Sequence, residues 1–373
     1  MPSVAIIGTR GYPSFYGGFE TAVRNLAPYL SVRGWDVTVY SRETRAHSTA
    51  DVPRINVVRT PGIQTKSLST LTYGFTSTLH AAASSPDVAL IMNVANGFWL
   101  PLLKARGIPT IVNVDGVEWL REKWGRFAKA TFFAGARATA RLADGLVMDA
   151  RAIDDFWRAQ FGRGGTWIPY GAAIGPVPND ALPRGLTPGR YVLAVARLVP
   201  ENSIPEFLDA AERLAEGVDV VLVGSSGYGG ELEQRASSLE ARLERFHKLG
   251  HIRDDRTLFS LWKNCGVYFH GHSVGGTNPA LVQAMALGAP TVARDTIFNR
   301  EVLADSGLFT DASTDSIVRR IRELLENPRE RQRLGAAASQ RAASVYSWES
   351  VNAEYERVLV EAIAKRASKA GRG

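Results

Sequence analysis

Short runs of Val, Ile, Leu and Ala alternate with stretches in which apolar residues recur every three to four positions. This alternation is the signature of parallel strands buried by helices on both faces. In the first half the apolar runs predict strands at residues 4–8, 36–40, 55–60, 88–92, 110–114 and 145–148, with helices such as 19–33 between them. Residues 171–190 are rich in Gly and Pro and lack periodicity, which reads as a linker. The pattern then restarts, predicting strands at 191–196, 218–223, 267–270 and 290–293 and helices at 204–215, 232–246, 279–287 and 314–326. Residues 347–365 read as a terminal helix and 366–373 as a small basic tail.

The expected fold class is therefore α/β, two doubly wound Rossmann-like domains in residues 1–170 and 191–346, joined by the linker 171–190. The closing segment 347–373 is expected to pack back on the first domain. A chain of 373 residues agrees with two domains, because single cores stop growing at roughly 250–300 residues. In such sheets ligands sit outside the carboxyl ends of the strands, so two of them facing each other are expected to form a cleft.

With 45% hydrophobic and 22% charged residues the composition is that of a globular chain. Cys265 is the single cysteine, which excludes an internal disulfide and argues against a Cys-rich metal site, as in a reducing compartment. The expected location is cytoplasmic, with the chain starting at Met1 or Pro2 and no leader ahead of the first strand. The most apolar stretch, 88–103, is interrupted by Asn93, Asn96, Gly97 and Pro101, so no membrane-spanning helix is expected. The net charge of +7 suits anionic partners without separating phosphates, acidic lipids and nucleic acid.

Arg10, Gly11, Gly17 and Gly18 mark the segment between the first strand and first helix, which begins with Gly8. There, backbone free of side chains can approach a substrate, and helix amides can meet an anion. The spacing is neither the dinucleotide fingerprint nor the P-loop; a tight turn with a loop is the competing explanation. In the second half Arg197 ends a strand, where a guanidinium fork suits a diphosphate; surface solvation is the competing explanation. Gly275, Gly276, Thr277 and Asn278 follow another strand and open a helix at Pro279, a favoured first-turn residue. Free amides and the positive helix end can there hold phosphates without a metal.

Three strings, GTRGYPSFYGGFET at 8–21, ARLVPEN at 196–202 and GHSVGGTNPALVQAM at 271–285, resemble the family 4 retaining glycosyltransferases. They are most similar to the bacterial rhamnosyltransferase-like members of capsule, O-antigen and cell-wall polysaccharide assembly, and the likeness runs over nearly the whole chain. The resemblance implies a GT-B fold and transfer of a sugar from a nucleotide diphosphate donor to a glycan or polyprenyl-lipid-linked acceptor. It further implies no metal cofactor and no nucleic-acid partner. Arg197 takes the role of the phosphate-binding arginine, and Gly275, Gly276, Thr277 and Asn278 that of the donor cradle. Asn202 stands where the family has a lysine beside the phosphates. The family's paired glutamates correspond to Gly275 and Gln283, so neither carboxylate is present. An amide at Gln283 grips a ribose diol less firmly than a carboxylate would, which points to a deoxyribose donor such as dTDP-rhamnose; a purely structural Gln283 is the alternative. By position in the family, Gly250, His251, Ile252 and Arg253 are expected to pass the nucleobase and bond it through backbone groups, an ordinary strand end being the alternative. Asn299 serves either the sugar or a helix cap, capping being preferred.

On the first domain Asp115, Gly116 and Glu118 follow the strand ending at 114 and are expected to face the donor sugar. Asp115 is the preferred catalytic candidate, Glu118 the second; either carboxylate can stabilise positive charge at the anomeric carbon or orient the acceptor hydroxyl. A helix N-cap is the alternative role for Asp115. Residues 119–141 combine Arg121, Lys123, Arg126, Lys129, Arg137 and Arg141 with Trp119, Trp124, Phe127, Phe132 and Phe133. This mixture suits an anionic membrane on the inner face of the plasma membrane, or else a core-facing helix with a solvated basic face. His270 and His272 alternate on one strand without the companions a metal site needs. A UDP- or GDP-sugar donor and a non-catalytic nucleotide or glycan-binding scaffold stay open as alternatives. A nicotinamide oxidoreductase fits poorly, since GxGxxG is missing after the first strand. An epimerase of the same fold would change the donor without an acceptor.

Overall fold

The computed structural model describes residues 1–13, 17–42, 53–64, 69–120, 125–175, 182–183, 185–227 and 229–370. Contacts divide the chain into two compact units, one formed by Met1–Tyr170 with Trp348–Gly373 and the other by Gly171–Ser347.

Among the described residues the first unit holds seven strands: β1 Ser3–Ile7, β2 Asp36–Ser41, β3 Ile55–Arg59, β4 Val88–Met92, β5 Thr110–Asn113, β6 Gly145–Met148 and β7 Thr166–Trp167. They pair in parallel in the order β3-β2-β1-β4-β5-β6-β7. The order reverses between β1 and β4, the switch point where doubly wound sheets bind ligands. The helices are α1 Gly18–Val32, α2 Ser69–Ser84, α3 Leu100–Ala105, α4 Arg126–Leu142 and α5 Arg151–Phe161. The closing helix, numbered α13 in chain order, runs Trp348–Ala370 and lays Val351, Tyr355, Val358 and Leu359 on the core built from β1, β2, β4 and α1. Every residue of β4 is buried, which explains its unbroken apolar run.

The second unit holds β8 Tyr191–Val195, β9 Asp219–Val223, β10 Phe246–Gly250, β11 Val267–His270, β12 Thr291–Arg294 and β13 Leu308–Thr310, ordered β10-β9-β8-β11-β12-β13. Its switch point lies between β8 and β11. Its helices are α6 Ile204–Leu214, α7 Glu231–Arg242, α8 Asp255–Asn264, α9 Pro279–Ala286, α10 Ile297–Leu303, α11 Thr314–Leu325 and α12 Pro328–Val345. α6 buries Ile204, Phe207, Leu208, Ala211 and Leu214, the three-and-four spacing of one helix face. α11 does the same with Ile317, Ile321 and Leu324.

The fold class read from the sequence, two doubly wound parallel sheets, is the one observed. Several bounds and three strands differ. The helix expected over 232–246 ends at Arg242: Leu243 turns extended, and Phe246 opens β10 beside Val220. The edge strands β7, β10 and β13 had no counterpart in the apolar pattern. Within the expected linker, Ala172 donates its amide to Tyr346 O at 2.7 Å, and Ala173 is held at both polar backbone atoms by Gln283.

Candidate functional site

At the carboxyl edge of the second unit's sheet, β8 runs out at Val195 and hands over to Arg197. The Arg197 side chain is exposed and has no hydrogen bond or ion pair among the described residues. Its main chain is fixed: Val199 N and Asn202 Nδ2 both donate to Arg197 O, at 2.8 and 2.9 Å. Asn202 is thus buried, 4% exposed, and turned onto the backbone of its own turn rather than outward to a phosphate. A short amide committed to a carbonyl cannot replace the reach of a lysine. The same turn is latched to the next strand by Ser273, whose N and Oγ both donate to Glu201 O, at 3.0 and 2.8 Å.

Ser273 leads into the glycine loop beyond β11. Gly275 sits at φ 110°, where a side chain would be strained. Asn278 caps α9 by accepting from Ala280 N at 2.9 Å, and Pro279 takes the first turn. Thr277 is buried, and no hydrogen bond engages the amides of Gly275 or Gly276 among the described residues. Because β8 and β11 are paired neighbours, the structure brings Arg197 and this loop to one sheet edge.

Two expectations about this unit are corrected, at Gln283 and Asn299. Gln283 does not present its amide to a ligand: Oε1 accepts from Ala173 N at 2.9 Å and Nε2 donates to Ala173 O at 3.1 Å, with the residue 8% exposed. Both polar ends are spent on the backbone. Asn299 does not cap α10; Thr296 does, accepting from Asn299 N, while Asn299 Nδ2 donates to the carbonyls of His272 and Arg294 at 2.9 and 2.8 Å. His270 lies buried with Nδ1 on the Tyr268 hydroxyl at 2.9 Å, stacked on His272 at 4.4 Å. Burial first, then the neighbouring His272, hold His270 well below the usual imidazole range.

β10 delivers Gly250 at φ 65°, its carbonyl accepting from Gly224 N at 2.7 Å. His251, Ile252 and Arg253 follow without backbone hydrogen bonds among the described residues, before Asp254 caps α8. Their main chain therefore retains its bonding capacity.

In the first unit, β1 feeds the segment Gly8, Thr9, Arg10 and Gly11; Ser14 and residues 15–16 of the insertion lie outside the described residues. Gly8 has φ 101°, and a Cβ there would stand 2.1 Å from Met92 O. Gly17 caps α1 and Gly18 opens it, packed so closely that a Cβ on Gly18 would meet the Tyr170 ring at 2.9 Å. Glu20 is the residue that motif reading passed over. It is buried, and its Oε1 accepts from Arg10 N at 3.0 Å, fixing the glycine segment. Burial raises its pKa above the usual carboxylate range, against the lowering pull of that backbone bond and of Arg10 and Arg42. The signal was present in the sequence: an acid in the first turn of a helix led by two glycines.

Asp115 has φ 58°, a conformation Asp tolerates better than most, and no helix begins there, so it is not an N-cap. Its amide donates to Asn113 Oδ1 at 2.9 Å, and Asn113 Nδ2 donates to the Tyr355 hydroxyl at 2.6 Å. The terminal helix thus sets the bend that presents Asp115. Gly116 and Glu118 are buried, Glu118 opening a 3-10 turn to Leu120. Tyr170, buried beside Asp115, Asp149, Tyr355 and Glu20, has its phenol pushed well up by burial.

The basic aromatic stretch divides. Trp119 is 8% exposed and lies against Phe133, Phe156, Trp157 and Phe161 with ring centroids 5.8–6.4 Å away. Trp119 is therefore a core residue, with the partly buried Phe133 packed against it, as the core-facing alternative expects and the membrane-facing one does not. Phe127, which follows the exposed Arg126, is 84% exposed, and Leu120 is 61% exposed. Arg121, Lys123 and Trp124 lie outside the described residues. No helix among the described residues is long and apolar enough to cross a membrane.

Comparisons with known proteins agree with this geometry. Residues 17–171 match the family model described as glycosyl transferase 4-like domain, and residues 185–341 match that of glycosyl transferases group 1. An MMP alpha-(1->4)-mannosyltransferase of Mycolicibacterium hassiacum is 30% identical over 190 residues, 49% of this chain and 46% of that protein. A phosphatidyl-myo-inositol mannosyltransferase of Mycolicibacterium smegmatis is 32% identical over 204 residues, 51% of this chain and 50% of that protein. The matches span about half the length of these curated relatives. In fold, the chain is similar to sucrose-phosphate synthase from Thermosynechococcus elongatus, with a TM-score of 0.81 at 18% identity, covering 98% of this chain and 100% of that one. Through its two matched segments and this architecture, the chain belongs to the family 4 glycosyltransferases of GT-B fold.

Proposed function

We propose that the chain transfers a sugar from a nucleoside diphosphate donor to an acceptor hydroxyl, with the donor diphosphate on the carboxyl edge of the second unit. The observation that carries this reading is the exposed Arg197 guanidinium, without a partner of its own, on a turn latched through Ser273 to the Gly275 and Gly276 amides. A guanidinium and free amides at a helix start stabilise the charge that grows on the departing diphosphate. A leaving group this good needs little acid assistance, so phosphate stabilisation dominates the chemistry. The backbone of His251, Ile252 and Arg253 is the proposed base contact, and Asp115 the proposed carboxylate at the anomeric carbon, Glu118 being the alternative. Because the positive charge comes from protein groups, turnover is expected to survive EDTA.

The donor sugar is the finer question. The ground for a deoxyribose donor was a Gln283 amide facing the ribose, and that amide is occupied by Ala173. dTDP-rhamnose therefore enters as one member of a panel with UDP- and GDP-sugars, and the two mannosyltransferase relatives favour including a mannosyl donor. The relative that acts on phosphatidyl-myo-inositol supports a lipid-linked acceptor, met at an anionic surface through Leu120, Phe127 and Arg126.

The test is thermal stabilisation by dTDP, UDP and GDP. Ligand at 100 times its Kd adds about 2.7 kcal/mol. Arg197→Ala should abolish the shift, and a shift that survives this substitution refutes the phosphate assignment. Transfer measured with purified protein separates an enzyme from a binding scaffold.

A further inference from the structure

Arg197 alone offers the diphosphate one positive charge, and Asn202 in the same turn is neutral and committed to a carbonyl. A second cation stands at the same edge. Arg294 is the last residue of β12, and β12 pairs with β11 as β11 pairs with β8. The carboxyl ends that carry Arg197, the glycine loop and Arg294 are therefore consecutive in the sheet.

Arg294 reaches back towards the arginine turn. Its Nη1 donates to Ser203 Oγ at 2.8 Å, and Ser203, the residue after Asn202, is fully buried and donates to Gly271 O at 2.8 Å. The main chain of Arg294 is pinned from the other side, since Asn299 Nδ2 donates to both Arg294 O and His272 O. The guanidinium is thus held by the turn behind β8, on a residue whose main chain is tied through Asn299 to the segment that leads to Gly275. It is half-buried and has no carboxylate within ion-pair distance among the described residues. The adjacent acid, Asp295, is engaged by Arg300 at 2.5 and 2.6 Å. Glu201, in the arginine turn, buries Oε1 without accepting from either arginine.

A half-buried cation lacking a counter-ion costs desolvation free energy unless an anion completes it. We infer that Arg294 supplies the second positive charge to the donor diphosphate, a specificity residue for diphosphates over the bare nucleoside. This rests on the proposed placement of the diphosphate beside Arg197.

Calorimetric titration of UDP, dTDP, uridine and thymidine into the full chain tests it, with Arg294→Ala, Arg294→Gln, Arg294→Lys and Arg197→Ala. The unliganded thermal midpoint of each variant monitors folding. Arg294→Ala is expected to weaken both diphosphates by about 10- to 100-fold, to leave the nucleosides unchanged, and to flatten the salt dependence of diphosphate binding. Arg294→Gln, which keeps a donor for Ser203 Oγ but loses the charge, should behave like Ala. Arg294→Lys should retain most of the affinity. Unchanged diphosphate binding in Arg294→Ala or Arg294→Gln, with binding lost in Arg197→Ala, overturns the role of Arg294 and leaves the proposed function standing. An equal loss for nucleosides and diphosphates also overturns it, by showing a brace for Ser203 alone. Intact diphosphate binding in Arg197→Ala removes the placement on which both rest.

Discussion

Gln283→Glu restores the carboxylate that the family pattern places on this helix, and the structure makes its effect calculable. Gln283 fits Ala173 as donor and acceptor at once, at 3.1 and 2.9 Å. An ionised carboxylate can accept from Ala173 N, but its second oxygen then faces Ala173 O, acceptor against acceptor. Ala173 is itself exposed, but residue 283 is 8% exposed, so a carboxylate oxygen left there without a donor, with its buried charge, costs about 1–3 kcal/mol. The introduced carboxyl relieves this by binding a proton, so its folded pKa lies above the unfolded value near about 4.3. A raised folded pKa leaves stability intact below the unfolded value and removes it as pH rises through the folded one. At pH 5 the neutral acid can donate to Ala173 O and keep both bonds; at pH 8 it cannot. For a unit of this size each kcal/mol shifts Tm by about 2–4 °C, so the variant should unfold about 2–12 °C below wild type at pH 8 and much closer to it at pH 5. Differential scanning calorimetry at the two pH values gives the answer. Equal Tm at pH 8, or a larger loss at pH 5, would refute the clasp.

Gly224→Ala should destabilise the second unit by about 1–3 kcal/mol and weaken nucleotide binding, because Gly224 has φ 136° and a Cβ would stand 1.8 Å from Ala196 O, next to Arg197; an unchanged Tm contradicts this. Glu20 has a raised pKa, so its contribution is present at acid pH and lost as pH rises through the folded value; Glu20→Gln should flatten the pH dependence of Tm above pH 4.5, and a steeper profile refutes it. Trp119→Ala should cost about 3–5 kcal/mol by emptying its aromatic cluster. Phe127→Ser should leave Tm in place while reducing sedimentation with anionic vesicles; vesicle binding unaffected by Phe127→Ser would detach this residue from any membrane contact.

What the sequence disclosed follows physical rules. Strands buried on both faces, such as Val88–Met92, write a continuous apolar run and were read to the residue. Phe246–Gly250 and Leu308–Thr310 lie at sheet edges, bury few residues and carry no such run. Arg197 and the Gly275 loop were legible because local motifs encode them. The pairings that decide what the nearby side chains do were not: Gln283 meets Ala173 across 110 positions, and Arg294 meets Ser203 across 91. Nothing local marks Gln283 as occupied or Arg294 as facing the arginine turn. Trp119 stayed undecided between core and membrane for a related reason, since an aromatic beside basic residues looks the same in sequence whichever receives it.

Hydrogen exchange with and without a saturating nucleoside diphosphate tests the placement of the diphosphate most directly. Protection is expected at Gly275, Gly276 and Thr277 and in the turn from Arg197 to Ser203, and it should vanish when the nucleoside without phosphates replaces the diphosphate. Saturated protein with no protection in these segments, or the same protection from the bare nucleoside, would contradict a diphosphate seated on this edge.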